Sequence, residues 1–528
     1  MVTTLGEISR DSAKLFGDKT ALIIEDKSFS YKEIDAMACR VANGLDSVGV
    51  RPGDRVTLYS HNCWEWVVSY HAIAKVGAVI NPINVMLTAD EVKYVLEDNG
   101  AKAVLGSADK AEALLDLKGT GVLNEVVLFG NELPVGATSF NDWLKAGADQ
   151  YEAAEQGRDE LAAICYTSGT TGHPKGAMHS HRNIVSSAEG TALMHVRTSR
   201  DILVNPLPLP HVYGSCVFNA SFMYGMTLVI LARFEETAVF SAIQEHGATL
   251  LDGVPTVYYY LLAHPKFEKY NLSSLTRACV GGQTLPVAKS HEWQTRAGCP
   301  VLELWGMTEL AGLATANPLY GENKPGTIGP AIPGSTGKIV AVDDPGQDLA
   351  YGEEGELMFQ GPLVMKGYYR NDAATNEVME PGGWLHTGDI ATQDEQGYFA
   401  IVDRKKDMIL SAGYNVYPAE LERVICGHPA VALAAVGRIP DEAKGELAKA
   451  YVVLKPEMAA TGQEIVEFCR EQLAAYKVPR AVQFVDSVPQ TSSGKIMRRL
   501  LTDIDDGGRD CVGIRLAKGS LTGTHRGP

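Results

Sequence analysis

The sequence is short of positive charge, of paired cysteines and of long apolar runs. Its 528 residues hold 47 Lys and Arg against 64 Asp and Glu, a formal net charge of −17. A surface that acidic repels phosphate backbones over long range, so a nucleic-acid partner is not expected, and any polyanionic ligand must be held by a local group of positive side chains. The nine cysteines, at 39, 63, 165, 216, 279, 299, 426, 469 and 511, are scattered, odd in number and nowhere spaced as CxxC. That pattern fits neither a disulfide framework nor a zinc site, and a reducing, cytoplasmic setting is the expectation. The opening stretch MVTTLGEISRDSAKLFGDKT has no basic region leading into an apolar one, so no signal peptide is expected. The longest apolar region, 217–232, is interrupted by Asn219, Ser221, Gly225 and Thr227. It falls short of about 18 unbroken apolar residues and reads as core, so no transmembrane segment is expected. With 45% hydrophobic and 21% charged residues, the composition is that of a folded globular protein and excludes a disordered or fibrous one.

What is present is an alternation of strand and helix. Two β-prone runs within ALIIEDKSFSY at 21–31 precede Ile34, Met37, Ala38, Val41, Leu45 and Val48 at helical spacing, and RVTLYS at 55–60 follows. An apolar helix near 65–77 leads to Ala78-Val79-Ile80, and a helix at 91–98 leads to the strand 101–105. Repeated over many cycles, this predicts an α/β fold with parallel sheets. From about 320 to 400 Gly and Pro are dense and short β-prone pieces such as Gly355-Glu356-Leu357-Met358-Phe359 dominate, which predicts a small β-rich subdomain. Beyond Arg404-Lys405-Lys406 the alternation resumes, with helices at 419–425 and 464–473 and strands at 431–436, 451–454 and 481–485. The expected organisation is a large N-terminal domain of α/β sub-lobes over 1–403, a connector at 404–406, a smaller α+β C-terminal domain over 407–501, and a tail from 502 to 528 poor in large apolar residues.

The sharpest local feature is the apolar strand Leu161-Ala162-Ala163-Ile164-Cys165-Tyr166 running into Thr167-Ser168-Gly169-Thr170-Thr171-Gly172-His173-Pro174-Lys175-Gly176. Glycines expose backbone N–H groups, and hydroxyls and a lysine add donors, so the segment suits a phosphate cradle. It is not a Walker A loop, because Pro174 precedes Lys175 and Gly176 follows it.

With this loop, five further segments in order give the chain a resemblance to the adenylate-forming superfamily of acyl-CoA synthetases, firefly luciferases and the adenylation domains of peptide synthetases. YTSGTTGHPKG resembles the family's phosphate loop, LPLPHVYG at 207–214 its acid-binding motif, and Leu304-Trp305-Gly306-Met307-Thr308-Glu309 its adenylate and magnesium motif, with Trp305 where a Tyr is commoner. Trp384-Leu385-His386-Thr387-Gly388-Asp389 resembles the ribose motif, Val402-Asp403-Arg404-Lys405-Lys406 the hinge, and Pro489-Gln490-Thr491-Ser492-Ser493-Gly494-Lys495 the C-terminal lysine motif. The resemblance runs from about residue 5 to 501.

The resemblance implies an ATP-dependent acid:CoA ligase with ATP, Mg²⁺ and coenzyme A as cofactors or co-substrates and a small carboxylic acid as substrate. It implies nucleotide contacts from Thr167, Ser168, Gly169, Thr170, Thr171, Gly172, Lys175, Gly281, Gly282, Gln283, Glu303, Trp305, Gly306, Met307, Thr308, Asp389, Arg404 and Lys495. Glu309 is the implied Mg²⁺ ligand, since a hard cation bridging phosphates needs a carboxylate. Asp389 can accept both ribose hydroxyls, and absent Cβ atoms at Gly281-Gly282 suit a flat ring against backbone. Lys495 is the implied catalyst of the first step: carboxylate attack on the α-phosphorus brings like charges together, and a bridging ammonium lowers that barrier.

A rotation of the C-terminal domain about Lys406 is implied for the second step, bringing Ser411, Ala412 and Gly413 to the adenylate for the thiol. Tyr476, Lys477 and Arg480 are candidates for the CoA nucleotide; as isolated residues they read equally as the cationic end of a helix. His211, Tyr213, Gly214, Gly253, Trp305, Gly306, Met307, Ala311 and Gly312 are the implied acyl pocket, with His211 at its entrance. Apart from Asp252 the pocket segments are neutral and mostly apolar, which favours a hydrophobic fatty or aryl monocarboxylate. Transfer of the acid to a carrier protein, a luciferase-like oxygenase and a non-catalytic nucleotide-binding regulator are the rival readings. No GxSxG elbow speaks for a hydrolase, and a homodimer stays open.

Overall fold

The computed structural model describes residues 2–119, 123–167, 174–411, 414–441, 445–489, 496–501, 504 and 512–513. These form two compact units, one comprising residues 1–387 and 392–401, the other 388–391 and 402–528.

The first unit is α/β, as the alternation predicts. A seven-stranded sheet runs in the order Thr138–Ser139, Glu125–Phe129, Ala101–Ser107, Arg55–Tyr59, Val79–Pro82, Leu161–Thr167, Lys175–Ser180. All its neighbours are parallel except the last two strands, which form an antiparallel hairpin. An eight-stranded sheet is ordered Gly312–Ala316, Val301–Met307, Arg277–Val280, Leu250–Gly253, Ile202–Asn205, Thr227–Ile230, Thr20–Ile24, Lys27–Ser30. It too is parallel inside, with an antiparallel pair at each end.

Local sequence explains the elements that pack on these sheets. The helix Tyr31–Ser47 opens with a capping box in which the Ser30 hydroxyl accepts from Glu33 N–H and the Glu33 carboxylate accepts from Ser30 N–H. Ile34, Ala38, Val41 and Leu45 are completely buried along one face; each such side chain contributes up to about 1.5–3 kcal/mol for the largest, an upper bound because unfolded chains already bury some surface. Trp64–Val76 is buried on nearly every side and stops at Gly77, whose φ of 78° closes it in the left-handed region. The apolar region 217–232 divides into the end of the helix Val212–Met223, a turn at Gly225 and the strand Thr227–Ile230. Among the described residues no helix is long and apolar enough to cross a membrane.

The expected β-rich part appears as a four-stranded sheet, Thr336–Val340, Gly355–Gln360, Leu385–Gln393 and Phe399–Arg404, and the boundary between the two units runs through its last two strands. The second unit is α+β. Its strands Val431–Asp441 and Gly445–Leu454 are each longer than their apolar cores suggest, because they pair antiparallel from Val431↔Leu454 to Asp441↔Gly445. Its helix at Gly462–Arg470 starts two residues before the sequence expectation and ends three before it, since Thr461 and Glu464 form a capping box that fixes the start. Ile409, Leu421, Ile425, Val436, Val452, Ile465 and Val482 form one core that joins this helix, the helix Pro418–Cys426 and the strands of the unit.

Candidate active site

The phosphate-loop segment is the connection of a hairpin. Thr167 and Lys175 face each other in its ladder, and Tyr166 and Cys165 pair with Gly176 and Ala177. Ser168, Gly169, Thr170, Thr171 and Gly172 lie outside the described residues. The strand beneath is held by a buried amide network the sequence did not announce: Asn81 Nδ2 donates to the Ile164 carbonyl at 2.8 Å, and Asn81 Oδ1 accepts from Thr57 and Asn99, each at 2.8 Å.

The strand Val301–Met307 carries the next group of expected residues to its C-terminal end, where a turn over Thr308–Leu310 places Glu309. Gly306 is needed for the hairpin that follows: a Cβ there would stand 1.7 Å from the Gly312 carbonyl oxygen, and Gly312 itself has φ +126°. Trp305 lies against Phe359, ring centroids 5.6 Å apart and planes inclined by 33°. Ala311 takes a left-handed φ of 53°.

Glu309 is 9% exposed, and its Oε1 accepts the Tyr368 hydroxyl at 2.7 Å. The neighbouring Thr308 carbonyl is 2.7 Å from His179 Nε2, and the Glu309 carbonyl accepts the Met365 N–H at 2.9 Å. Tyr368 also carries the Lys175 ammonium 5.2 Å from its ring centroid. Lys175 and Glu309, chosen from separate motifs, thus meet at one tyrosine that sequence reasoning missed. Its only sequence signal was the tyrosine pair in Lys366-Gly367-Tyr368-Tyr369-Arg370.

Glu303 is fully enclosed and meets backbone rather than an open cleft, accepting Gly326 N–H at 2.6 Å and Leu285 N–H at 3.4 Å. Burial pushes its carboxyl up to about 7, against the smaller pull of those two N–H groups. Gly281 has a packing reason for being glycine beside the expected ligand one: a Cβ there would meet Leu304 Cδ1 at 2.1 Å. Gly282 and Gln283 are exposed next to it.

In the acid-binding segment His211 is exposed and caps the helix Val212–Met223, its Nδ1 accepting the Tyr213 N–H at 3.2 Å. Gly214 lies in the first turn of that helix, and Gly253 ends the strand Leu250–Gly253. Asp252, the one charged residue expected near the pocket, is fully buried and is not an open charge. Arg197 Nη2 lies 2.9 Å from it, and the Tyr213 hydroxyl donates to it at 3.0 Å. Arg197, absent from the sequence reading, therefore cancels the one charge that reading left there.

Within the second unit, Arg404 Nε stands 3.3 Å from Asp389 Oδ1, so the two expected ribose contacts are adjacent. Lys405 N–H donates to the Gly388 carbonyl at 2.9 Å, and Lys406 is exposed. Ser411 ends the strand Ile409–Ser411 and pairs with Tyr414; Ala412 and Gly413 lie outside the described residues. Tyr476 stacks on Tyr414 with centroids 4.7 Å apart and planes inclined by 26°, and both rings are exposed. Lys477 and Arg480 are engaged locally: the Lys477 ammonium contacts both Glu420 oxygens at 2.9 and 2.7 Å, and Arg480 Nη2 donates to the Ala475 carbonyl at 3.0 Å. Lys495 lies outside the described residues. Three positions further on, Arg498 makes a two-pronged contact with Glu422, at 2.9 and 2.6 Å, and reaches Asp407 at 2.8 Å and Asp403 at 3.5 Å.

Comparison with known proteins gives the same picture from end to end. A family model described as AMP-binding enzyme matches residues 9–369, and one described as AMP-binding enzyme C-terminal domain matches 420–495. The chain is 33% identical over 538 residues to a long-chain-fatty-acid–CoA ligase of Bacillus subtilis, covering 95% of this chain and 94% of that protein. It is 35% identical over 488 residues to a feruloyl-CoA synthase of Amycolatopsis, covering 92% and 96%. Among solved structures, ATP-bound MatB from Rhodopseudomonas palustris superposes with a TM-score of 0.89 at 32% identity, covering 96% of this chain and 99% of that one. An anthranilate CoA ligase in complex with anthranoyl-AMP gives 0.89 at 29% identity, covering 95% and 97%.

Proposed function

From the premise that the chain belongs to the AMP-binding enzyme family, within the adenylate-forming superfamily, we propose that it is an ATP-dependent carboxylic acid:CoA ligase, AMP-forming. The observation that carries this reading is the kinship with CoA ligases over nearly the full length of both chains. The reaction has two halves. A substrate carboxylate attacks the α-phosphorus of ATP, giving acyl-AMP and pyrophosphate; the CoA thiol then attacks the acyl carbon, loses its proton and expels AMP.

Mg²⁺ is the proposed metal, and Glu309 suits it. A single, nearly buried carboxylate, with no cluster of three His, Cys, Asp or Glu able to hold a metal among the described residues, matches an ion that takes its other oxygens from phosphates and water. Bound there, the ion supplies charge neutralisation on the phosphates. Lys175 beside Tyr368 adds a cation for the same phosphates, and Asp389 with Arg404 serves the ribose. Lys495 is assigned the electrostatic stabilisation of the first half-reaction and Gly413 the clearance for the thiol in the second, with Lys406 as the hinge between the domains and the Tyr414–Tyr476 pair as the face for the CoA base.

For the acid, the pairing of Asp252 with Arg197 and Tyr213 leaves the expected acyl-pocket segments without an uncompensated carboxylate, which supports a hydrophobic fatty or aryl monocarboxylate. A cytoplasmic setting belongs to the same proposal. A panel of fatty, aryl and arylalkanoic acids, assayed with ATP and with or without CoA, tests the reading. Acid-dependent pyrophosphate release without CoA, and thioester with AMP only when CoA is added, are expected. Formation of ADP and phosphate would refute it.

A further inference from the structure

Tyr368 stands 59 residues beyond Glu309, yet it is the point where the metal-side carboxylate and the phosphate-side lysine meet. Its hydroxyl donates to Glu309 Oε1 at 2.7 Å, and its ring lies under the Lys175 ammonium at 5.2 Å. The segment around it is fastened on three sides. Met178 N–H donates to the Gly367 carbonyl at 2.9 Å and Tyr369 N–H to the Gly176 carbonyl at 2.7 Å, so that Tyr368 faces Ala177 in the strand that begins with Lys175. Met365 N–H donates to the Glu309 carbonyl at 2.9 Å. Tyr368 N–H donates to Thr375 Oγ1 at 2.9 Å, at the helix Asp372–Val378. The tyrosine is 6% exposed, so neither its ring nor its hydroxyl is free to swing away.

We propose that Tyr368 is a positioning residue with two separable tasks: its hydroxyl sets the plane of the Glu309 carboxylate for a divalent cation, and its ring sets the Lys175 ammonium for the phosphates of ATP. The proposal rests on the reading of Glu309 and Lys175 given above. A carboxylate with one oxygen fixed by a phenol cannot rotate freely about its last bond, so its other oxygen is presented to the ion in one direction. Loss of such an outer partner typically weakens metal binding roughly 10–100-fold. The aromatic face attracts an ammonium through its quadrupole without accepting its N–H donors as a carboxylate would, so those donors can still address phosphate oxygens. A carboxylate in place of the ring would hold the lysine harder and compete with the nucleotide.

The two tasks predict different outcomes for two substitutions, read by calorimetric titration of ATP into the full chain without any acid substrate, at stepped Mg²⁺ concentrations and in EDTA. Tyr368→Phe keeps the ring and nearly the same volume. It is expected to raise the Mg²⁺ concentration that gives half of the metal-dependent tightening by about 10-fold, with metal-free ATP affinity unchanged. Tyr368→Leu is expected to produce the same Mg²⁺ shift and, in addition, to weaken metal-free ATP binding by about 3-fold through loss of the cation–ring contact. A wild-type Mg²⁺ midpoint in Tyr368→Phe, alongside a shifted midpoint in Glu309→Gln, would overturn the proposal and leave Glu309 as metal ligand. A wild-type midpoint in Glu309→Gln would remove the Glu309 reading and this proposal with it.

Discussion

Two pairs of buried carboxylates, one pair in each unit, answer the cost of burial in opposite ways. In the second unit Asp403 and Glu422 converge on one guanidinium: Arg498 grips Glu422 with two prongs, while Ala419 and Arg404 N–H groups hold Asp403 and Val436 N–H holds Glu422. In the first unit Glu309 is met by a phenol and Glu303 by two backbone N–H groups. A charge already answered by a cation serves the fold, whereas a carboxylate answered only by dipoles keeps an appetite for a cation or a proton. Burial pushes the Glu303 carboxyl up to about 7, so it takes a proton as pH falls through neutrality. Glu309 is the one assigned a metal ion.

The largest effect is expected from breaking the second unit's hub. Arg498→Met leaves two buried carboxylates without their cation and should destabilise that unit by about 3 kcal/mol or more. All six tryptophans precede residue 388, so the fluorescence-detected transition of the first unit should be unchanged while hydrogen exchange in Val431–Asp441 and Gly445–Leu454 accelerates. Equal protection in variant and wild type would show that the hub does not hold the unit together.

Next in size is a pH effect at Glu303. Its carboxyl stands at about 7 in the folded chain against an ordinary 4.5, so between those values the folded state binds more protons than the unfolded one and stability falls as pH rises. The loss is complete above pH 7 and amounts to at most about 3 kcal/mol. Glu303→Gln cannot titrate, so the difference in unfolding free energy between variant and wild type, followed by denaturant titration from pH 4 to 8, should change by up to that amount. A difference independent of pH would contradict the assignment.

The smallest effect belongs to the exposed face of the second unit. Tyr476→Ala removes a ring stacked on Tyr414 and should raise the KM for CoA several-fold, about 1 kcal/mol in transition-state terms, with acid-dependent pyrophosphate release unchanged. An unaltered KM for CoA would free the stack of that role and leave it as packing on the second unit's surface.

What the sequence made legible follows from range. The helix after Ser30 and the strand Leu161–Thr167 are written in neighbouring residues, through the spacing of Ile34, Ala38, Val41 and Leu45 and through an unbroken apolar run; the capping box of Thr461 with Glu464 is equally local, yet the expected helix began two residues late. The partners of charged groups were not legible, because they are set by packing between distant segments. Tyr368 and Glu309 are 59 residues apart, Arg197 and Asp252 are 55 apart, and Arg498 and Glu422 are 76 apart. One signal was there to be used. An aspartate inside the apolar run Leu250-Leu251-Asp252-Gly253-Val254 requires a buried cation or donor, and the arginines before that run were the place to seek it.

In the proposed mechanism the two half-reactions depend on different parts of the chain. The most direct test measures both in Lys495→Ala: pyrophosphate released from acid and ATP, and thioester formed from supplied acyl-AMP and CoA. A fall of about 100-fold or more is expected in the first, the scale of losing a group that stabilises transition-state charge, with the second close to wild type. Equal loss of both would contradict it.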